Sequence, residues 1–262
     1  MKVRLHSLTP ICNFYSLYSI IMIMKSLIFK LFYVSMFLTV PAFFSCTAKI
    51  DGNINANGSA VLSVNMSLGQ KMTALIKSMA AAGGHENVQI LDGPSISNSM
   101  SGSQGIESVS FRNTSQTAVD GQIKIAKINL FLNEVKGKEF INFEQGATGG
   151  KCVFSINIEN SQAILGRLSK DVSDYLNAIM APAATGEKMT KTEYLELIGS
   201  FYNKGISDEI AASKVRVSIE FPGAVTSAKG GTFSGKKANF DIPLVDLLVL
   251  QTPLVYEVNW KD

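Results

Sequence analysis

The first pattern along the chain is an alternation of apolar and polar residues on both sides of Asn57-Gly58. Apolar residues occupy every second position from Ala60 to Leu68, and a similar alternation runs from Ala48 to Ile54. A period of two is typical of a strand with one buried face, and Asn-Gly favours a tight turn because both residues accept positive φ. The pattern therefore predicts a β-hairpin.

Helical spacing replaces the alternation in two blocks of the chain. The first block is residues 70–82, with apolar residues Met72, Leu75, Ile76 and Met79 on one face. The second begins with residues 161–179, whose apolar stripe is Ile164, Leu165, Leu168, Val172, Tyr175, Leu176 and Ile179. Thr190 and Glu193 have the spacing of a capping box for another helix, and Pro182 and Gly205 are predicted to end helices. Shorter helices are predicted at residues 207–212 and 243–250.

The remaining apolar segments are predicted to be strands. They are residues 87–92, 106–112, 122–132, 139–144, 152–158, 215–221, 224–228, 237–242 and 254–260. Residues 95–105, rich in Ser, Asn and Gly, are predicted to be a mobile loop. Because the helices come in blocks and do not alternate with the strands, we predict an α+β fold. Its expected form is a curved antiparallel sheet of about eight or nine strands packed by two blocks of helices, in a single domain of residues 46–262.

The N-terminal 45 residues have the layout of a signal peptide. Met24 to Lys30 is a basic start, Leu31 to Val40 is an apolar core, and Ser45 is a small residue before Cys46. Residues 1–23 are interpreted as a mis-assigned start. An uncleaved membrane anchor over residues 11–44 is an alternative, although Lys25 and Lys30 make one span over that whole segment costly. A third interpretation is an ordinary secretory signal, followed by a Cys46 that carries no lipid.

The residues before Cys46 resemble the lipobox of bacterial lipoproteins, in which the cysteine thiol carries a diacylglycerol and the amine is acylated. Phe43 and Phe44 stand where that pattern usually has leucine and a small residue, a relaxed form that resembles spirochaetal lipoproteins. The resemblance implies lipidation at Cys46 and a location in the bacterial cell envelope, on the periplasmic or surface side.

Charge and cysteine content narrow the classes of function. Four of the 24 basic residues and none of the 21 acidic residues precede Cys46, so residues 46–262 are nearly neutral. A neutral domain gives no electrostatic reason to expect nucleic acid as a partner. With Cys46 acylated, Cys152 has no partner for a disulfide, and its apolar strand predicts a buried thiol rather than a reactive one.

No arrangement of residues in the sequence indicates catalysis, a metal site or a cofactor. His85 is the only histidine after the signal segment, so neither a Ser-His-Asp triad nor a histidine-based metal site can be assembled. The glycines of residues 146–150 lack the Gly-Lys-Ser/Thr ending of a phosphate-binding loop. We therefore predict a protein that is not an enzyme and that needs no metal or cofactor.

Two groups of turns resemble the LppM-type domain of bacterial lipoproteins. The first is the segment from Phe221-Pro222-Gly223 through residues 230–231 to residues 238–244, and the second is the opening hairpin. The resemblance implies an α+β domain with a strongly curved sheet and, in at least one branch, an apolar cavity suited to a lipid or glycolipid tail.

From this resemblance we expect a membrane-anchored lipoprotein that binds a lipid or another apolar ligand between its sheet and its helices. The candidate ligand-binding residues are Met72, Leu75, Ile76, Met79, Leu168, Val172 and Tyr175. Plain core packing of these side chains is the competing interpretation. The alternative function is an envelope structural or surface-exposed lipoprotein without a small-molecule ligand, which contacts other proteins through loops such as residues 95–105.

A test of the anchor follows from the lipobox. The substitution Cys46→Ala removes the thiol that would carry the diacylglycerol, so we expect no acylation and either a trapped precursor or a released protein. Intact-mass analysis and membrane fractionation measure both effects. Unchanged membrane association of the variant, together with a wild-type protein without lipid, would favour the uncleaved anchor.

Overall fold

Eleven β-strands and seven complete helices are seen in the part of the chain that the computed structural model describes. The described residues are 47–82, 89–131, 133, 139–165 and 175–262. The strands are β1 (Thr47–Ile54), β2 (Ala60–Ser67), β3 (Ile106–Ser115), β4 (Ala118–Ile125), β5 (Ile141–Gly146), β6 (Gly149–Ile156), β7 (Lys214–Glu220), β8 (Ala224–Lys229), β9 (Thr232–Ser234), β10 (Lys237–Pro243) and β11 (Leu254–Lys261). The helices are α1 (Gln70–Ala82), α2 (Gly93–Met100), α3 (Ile158–Leu165), α4 (Pro182–Thr185), α5 (Lys191–Phe201), α6 (Lys204–Ala212) and α7 (Leu244–Val249); residues 175–178 are also helical.

Seven strands form the larger sheet, in the order β3-β4-β2-β1-β7-β10-β9. The predicted hairpin is confirmed, because β1 pairs antiparallel with β2 from Thr47 opposite Ser67 to Ile54 opposite Ala60. On its other side β1 pairs parallel with β7, which joins segments about 160 residues apart in the chain. The predicted purely antiparallel pairing is therefore wrong at this one place. Alternation shows which side chains share a face, but it does not encode the direction of the neighbouring strand.

Four strands form a second sheet, in the order β5-β6-β11-β8. The chain passes from the larger sheet to this one between β7 and β8, at Phe221-Pro222-Gly223, and returns between β8 and β9. Apolar side chains from the facing sides of both sheets form one core cluster. The α+β class predicted from the sequence is confirmed, but the strands make two facing sheets instead of one curved sheet.

The helices form a second apolar cluster. Tyr194 and Ile198 of α5, Ile206 and Ile210 of α6 and Ile76 of α1 are buried in it. Register places the junctions of α1 with β2, of α6 with β7 and of α7 with β10 at the same end of the larger sheet, the end where β1 begins. The helical cluster therefore attaches at the Thr47 end of the sheet.

A carboxylate from α6 ties the start of α1 to this cluster. The backbone amides of Lys71 and Met72 each donate a hydrogen bond of 2.8 Å to the carboxylate of Glu209. A negative charge at a helix N-terminus satisfies free amides and interacts favourably with the helix dipole. Gly69 leaves room for this contact, because a Cβ there would push the Glu209 carboxylate away from the two amides.

Two local predictions are wrong in the region from residue 89 to residue 105. Residues 89–92 form bends and no strand, and residues 93–100 form helix α2 where a mobile loop was expected. The helix is held to β3 by Ser97, whose hydroxyl accepts a hydrogen bond of 2.7 Å from the amide of Phe111, and by the amide of Gly93, which donates to Asn113. The Ser97 side chain binds a backbone group of β3, and the Asn113 side chain on β3 binds the backbone at the start of α2, which composition alone does not reveal.

Helix boundaries differ from the predictions at one proline and one glycine. Pro182 begins α4 instead of only ending the preceding helix, because proline is well suited to the first turn. Gly205 lies inside α6, which begins with Asn203 as its cap rather than Ser207. The capping box of Thr190 and Glu193 is confirmed, and its hydrogen bonds lower the pKa of Glu193. Strand β4 ends at Ile125, and a 3-10 turn (Ile128–Leu130) replaces the rest of the predicted 122–132 strand.

Glycine substitutions test the packing of the larger sheet. The ring of Phe111 lies where a Cβ on Gly121 would be, so Gly121→Ala is expected to lower the free energy of unfolding by about 1–3 kcal/mol. Gly199, within α5, has no atom closer than 3.6 Å to its Cβ position, so Gly199→Ala is expected to raise it by about 0.5–1 kcal/mol. Urea unfolding of both variants measures the two signs. Equal effects would contradict the packing described for Phe111.

Candidate functional site

An apolar cavity of about 280 Å³ lies between the two sheets. Its walls come from both: strands β1, β2, β4, β7 and β10 of the larger sheet and β5, β6 and β11 of the smaller. Seventeen of the nineteen lining residues carry pure hydrocarbon side chains. The full set is Ile50, Ile54, Leu62, Val64, Ile123, Ile125, Ile128, Phe131, Phe140, Ile141, Cys152, Phe154, Val217, Ile219, Phe221, Phe240, Ile242, Tyr256 and Val258.

Aromatic packing closes one end of the space between the sheets. The ring of Trp260 lies 5.4 Å from that of Phe143 and 5.1 Å from that of Phe221, measured between centroids. Its indole N–H donates a hydrogen bond of 3.1 Å to Gln145, so the polar group of the ring has a partner. Further along the sheets, the rings of Phe240 on β10 and Tyr256 on β11 meet edge to face across the two sheets, 5.2 Å apart between centroids. Most of the remaining wall is made of Ile and Val side chains. The cavity occupies this part of the interior.

Only two lining side chains carry a polar group, and both are neutral at physiological pH. Burial raises the pKa of the Cys152 thiol to about 12. Burial, and secondarily the negative charge of Asp246, raises the pKa of Tyr256. The predicted burial of Cys152 is confirmed, since its side chain is 6% exposed. A charged group placed in this cavity would meet no opposite charge among the lining residues, so the cavity suits hydrocarbon.

The described residues predicted to bind a ligand lie elsewhere. Met72 and Ile76 are buried in the helical cluster, Leu75 and Tyr175 pack half-buried against it, and Met79 is 38% exposed. None of these five lines the cavity between the sheets. Leu168, Val172 and Cys46 lie outside the described residues. A ligand-binding role for this set stays a prediction, and the observed packing is the core filling that the sequence left open.

The predicted position of the cavity is corrected by the structure: it lies between two sheets and not between sheet and helices. The sequence marks the residues concerned, such as Ile50, Val64 and Val217, as inward-facing strand positions. It contains no signal that the strands divide into two facing sheets. Residues that line the cavity therefore look the same in the sequence as residues that fill a core.

A wider cleft of about 560 Å³ lies on the surface beside the start of α5. Its lining is mixed: polar and charged residues such as Glu159, Lys188 and Glu193 alternate with apolar ones such as Ile158, Met189 and Leu250. The free amides at the start of α5 would favour an anion there, but the Glu193 side chain already binds the cap. The inter-sheet cavity is therefore the better candidate for a ligand site.

Within the residues that the structure describes, no three side chains of His, Cys, Asp or Glu are grouped so that they could hold a metal ion. Among the described helices, none combines the length and apolar character that a membrane crossing requires.

Comparisons with known proteins give little that bears on function. No protein-family model matches the sequence, and no curated protein matches it. Among solved structures, the chain is similar to the folded domain of the LppM protein of Mycobacterium tuberculosis, with 8% sequence identity over 83% of this chain and 90% of that one. The TM-score of 0.39 is too low for this likeness to carry an argument. The resemblance to spirochaetal lipoproteins stays a prediction.

The position of Cys152 in the cavity wall predicts an inert thiol. When its pKa rises from 9.0 to about 12, the thiolate fraction at pH 8 falls roughly 1000-fold. In a protein of residues 47–262, where Cys152 is the only cysteine, we expect slow maleimide labelling under native conditions and fast labelling in denaturant. Mass spectrometry measures both rates. Comparable rates in the two conditions would contradict the burial.

The same shift predicts how stability depends on pH. The folded state holds the thiol proton more tightly than the unfolded state, so this contribution to the free energy of unfolding is fully present below pH 9. It is lost progressively as the pH rises from about 9 to about 12. Because lysines and tyrosines also titrate there, the quantity to compare is the difference between wild type and Cys152→Ala, measured by urea unfolding at each pH. A difference that does not change over this range would contradict the prediction.

Proposed function

We propose that this protein is a lipid-anchored protein of the bacterial cell envelope that binds one alkyl chain in the cavity between its two sheets. The observation that carries the proposal is the composition of the cavity wall, in which seventeen of nineteen side chains are hydrocarbon. Apolar cavities of this kind stay dry and take up apolar molecules, because water has no partners in them. The protein is proposed to act by binding and not as an enzyme.

The size of the cavity supports a ligand with a single chain. A volume of about 280 Å³ is just below the range of pockets for drug-sized molecules. Such a space suits one alkyl chain of a fatty acid, a lysolipid or a glycolipid rather than both chains of a diacyl lipid. The charged or sugar-bearing head would stay outside, because the lining contains only the neutral groups of Cys152 and Tyr256.

The anchor is supported by the sequence alone. Residues 24–46 have the order of a lipoprotein signal, and Cys46 is separated from the first strand by a single peptide bond. The proposed partners are accordingly a bacterial membrane, through the lipid on Cys46, and an apolar ligand in the cavity. The near neutrality of residues 46–262 speaks against nucleic acid as a partner.

The alternative, an envelope protein that contacts other proteins through its loops, stays a prediction with less support. Its first candidate surface was the 95–105 segment, and residues 93–100 of that region form a helix fixed to β3. A surface built on a flexible loop is therefore not what this segment provides.

Filling the cavity tests the proposed ligand site. Val64 lines the cavity on β2, whereas Val61, three residues earlier, points to the opposite face of the same strand and does not line it. In a protein of residues 47–262, Val64→Phe should displace about three methylenes of a bound fluorescent fatty acid. At about 0.8 kcal/mol each, the affinity falls roughly 50-fold. Fluorescence titration measures the dissociation constant.

Val61→Phe is the matched control and is expected to keep the wild-type affinity. Circular dichroism and thermal unfolding check that both variants fold. If Val64→Phe does not fold, Val217→Phe on β7 fills the cavity in its place. Native mass spectrometry of the wild type should show one bound chain per protein. A wild-type protein that binds no fatty acid, or an equal loss in both valine variants, would overturn the proposed site.

A further inference from the structure

Burial of the inner side chains changes along the central strands of the larger sheet. Near the β1–β2 turn, Ile54 and Ala60 are buried at 5% and 1% exposure, but Ile50, Val64 and Val217 are only half-buried. Residues in the middle of a sheet are ordinarily the most covered. On the flanking strands β4 and β10 the inner side chains are indeed buried, for example Ile123, Phe240 and Ile242. The interior is therefore open over the central strands, towards the start of β1.

The smaller sheet shows the same gradient in the same direction. Cys152, Val258 and Trp260 are buried, whereas Phe154 and Tyr256 are half-buried. Phe154 and Tyr256 are opposite each other in the register of β6 and β11, so they form one step along this sheet. The aromatic packing around Trp260 closes the other end. The cavity thus has one closed end and one open end.

A rim of half-buried apolar side chains continues beyond the cavity lining at this end. It consists of Met66 on β2, Val215 on β7, Leu247 on α7 and Leu254 on β11, all of which pack against the sandwich core without being covered. Met66 and Val215 are both paired with Ala48, the second described residue of the chain. The rim therefore lies at the place where the chain enters the domain.

The candidate lipid attachment point is one residue away from this place. Consecutive Cα atoms are ~3.8 Å apart, so an acyl anchor on Cys46 is tethered within one residue of Thr47 at the open end. The far end of β1, eight residues long, is on the order of 25 Å away. The helical cluster attached at the same end exposes Met79 and Phe201, the latter at 68%. Exposed apolar side chains at this end suit contact with a lipid surface.

From this arrangement we propose that the open end of the cavity faces the bilayer that holds the anchor, so that an alkyl chain passes directly between the membrane and the cavity. The inference rests on the proposed function, because it needs a cavity that binds alkyl chains. Beyond ligand binding, it specifies how the domain is oriented on the membrane and by which route the alkyl chain enters the cavity. Transfer across this contact avoids exposing each methylene to water, which makes uptake depend on the length of the tether and not only on affinity.

Lengthening the tether tests the route. The full chain, with its lipid anchor, is reconstituted into phosphatidylcholine and phosphatidylglycerol vesicles that contain a pyrene-labelled fatty acid. In the variant, twenty Gly/Ser residues stand between Cys46 and Thr47, with threonine first so that the residue after the cysteine is unchanged. Such a linker reaches about 25 Å, so the open end is no longer held at the surface. We expect uptake at least roughly tenfold slower, with the same final occupancy, because the end states are unaltered.

The outcomes separate the inference from the function on which it rests. Equal uptake rates with and without the linker overturn the proposed route and leave ligand binding intact. No uptake by either protein overturns both. A matched control, in which a linker of the same composition is placed after Asp262, keeps the tether short and should leave the rate unchanged.

Probes at the two ends of β1 test the orientation independently of any ligand. Lys214→Cys lies at the open end and Ala56→Cys at the turn of the opposite end, and both positions are exposed. Each carries a fluorophore, and the vesicles contain a lipid with a nitroxide on its headgroup. We expect strong quenching at position 214 and little at position 56. Equal quenching, or stronger quenching at position 56, would overturn the orientation, and the buried Cys152 should remain unlabelled in both proteins.

Discussion

The packing of Trp260 against Phe143 and Phe221 is the contact on which the rest of the structure depends. Trp260 on β11 and Phe143 on β5 belong to the smaller sheet, and Phe221 directly follows β7 of the larger sheet, so the cluster joins the smaller sheet to the end of β7. Large rings pack this end of the space between the sheets. Beyond it, the cavity wall is mostly Ile and Val, and the rings of Phe240 and Tyr256 meet across the two sheets. The cavity therefore lies between two aromatic contacts and the aliphatic side chains around them.

Much of the fold could be predicted from local signals. The hairpin around Asn57-Gly58, the Thr190–Glu193 cap and the strands after residue 214 depend on side chains close together in sequence, and the structure contains all of them. The parallel pairing of β1 with β7 and the Glu209 cap of α1 depend on residues more than 130 positions apart. The periodicity of apolar residues in the sequence does not indicate partners at such a distance. The division into two sheets was missed for the same reason.

The candidate site was harder to predict than the fold. Flexible methionine side chains adapt to apolar ligands, which favours methionines on amphipathic helices as ligand-binding residues. In the structure, however, Met72 is buried in the helical core and Met79 is exposed. The cavity is lined by ordinary strand residues whose alternation is the same whether they fill a core or border a space. The difference lies in how the two facing sheets pack, which depends on contacts between residues far apart in the chain. A single sequence does not show those contacts.

The parallel partnership of β1 and β7 also constrains when the domain can form. During synthesis the hairpin of β1 and β2 emerges early. The edge of β1 that faces away from β2 has no partner until residues 214–220 follow. Contacts of such high sequence separation slow folding, and an unpaired strand edge invites association with other chains. The domain is therefore built to complete itself only after nearly all of the polypeptide is available. That timing would suit the export proposed for this protein, because a chain that crosses a membrane unfolded must not complete its fold beforehand.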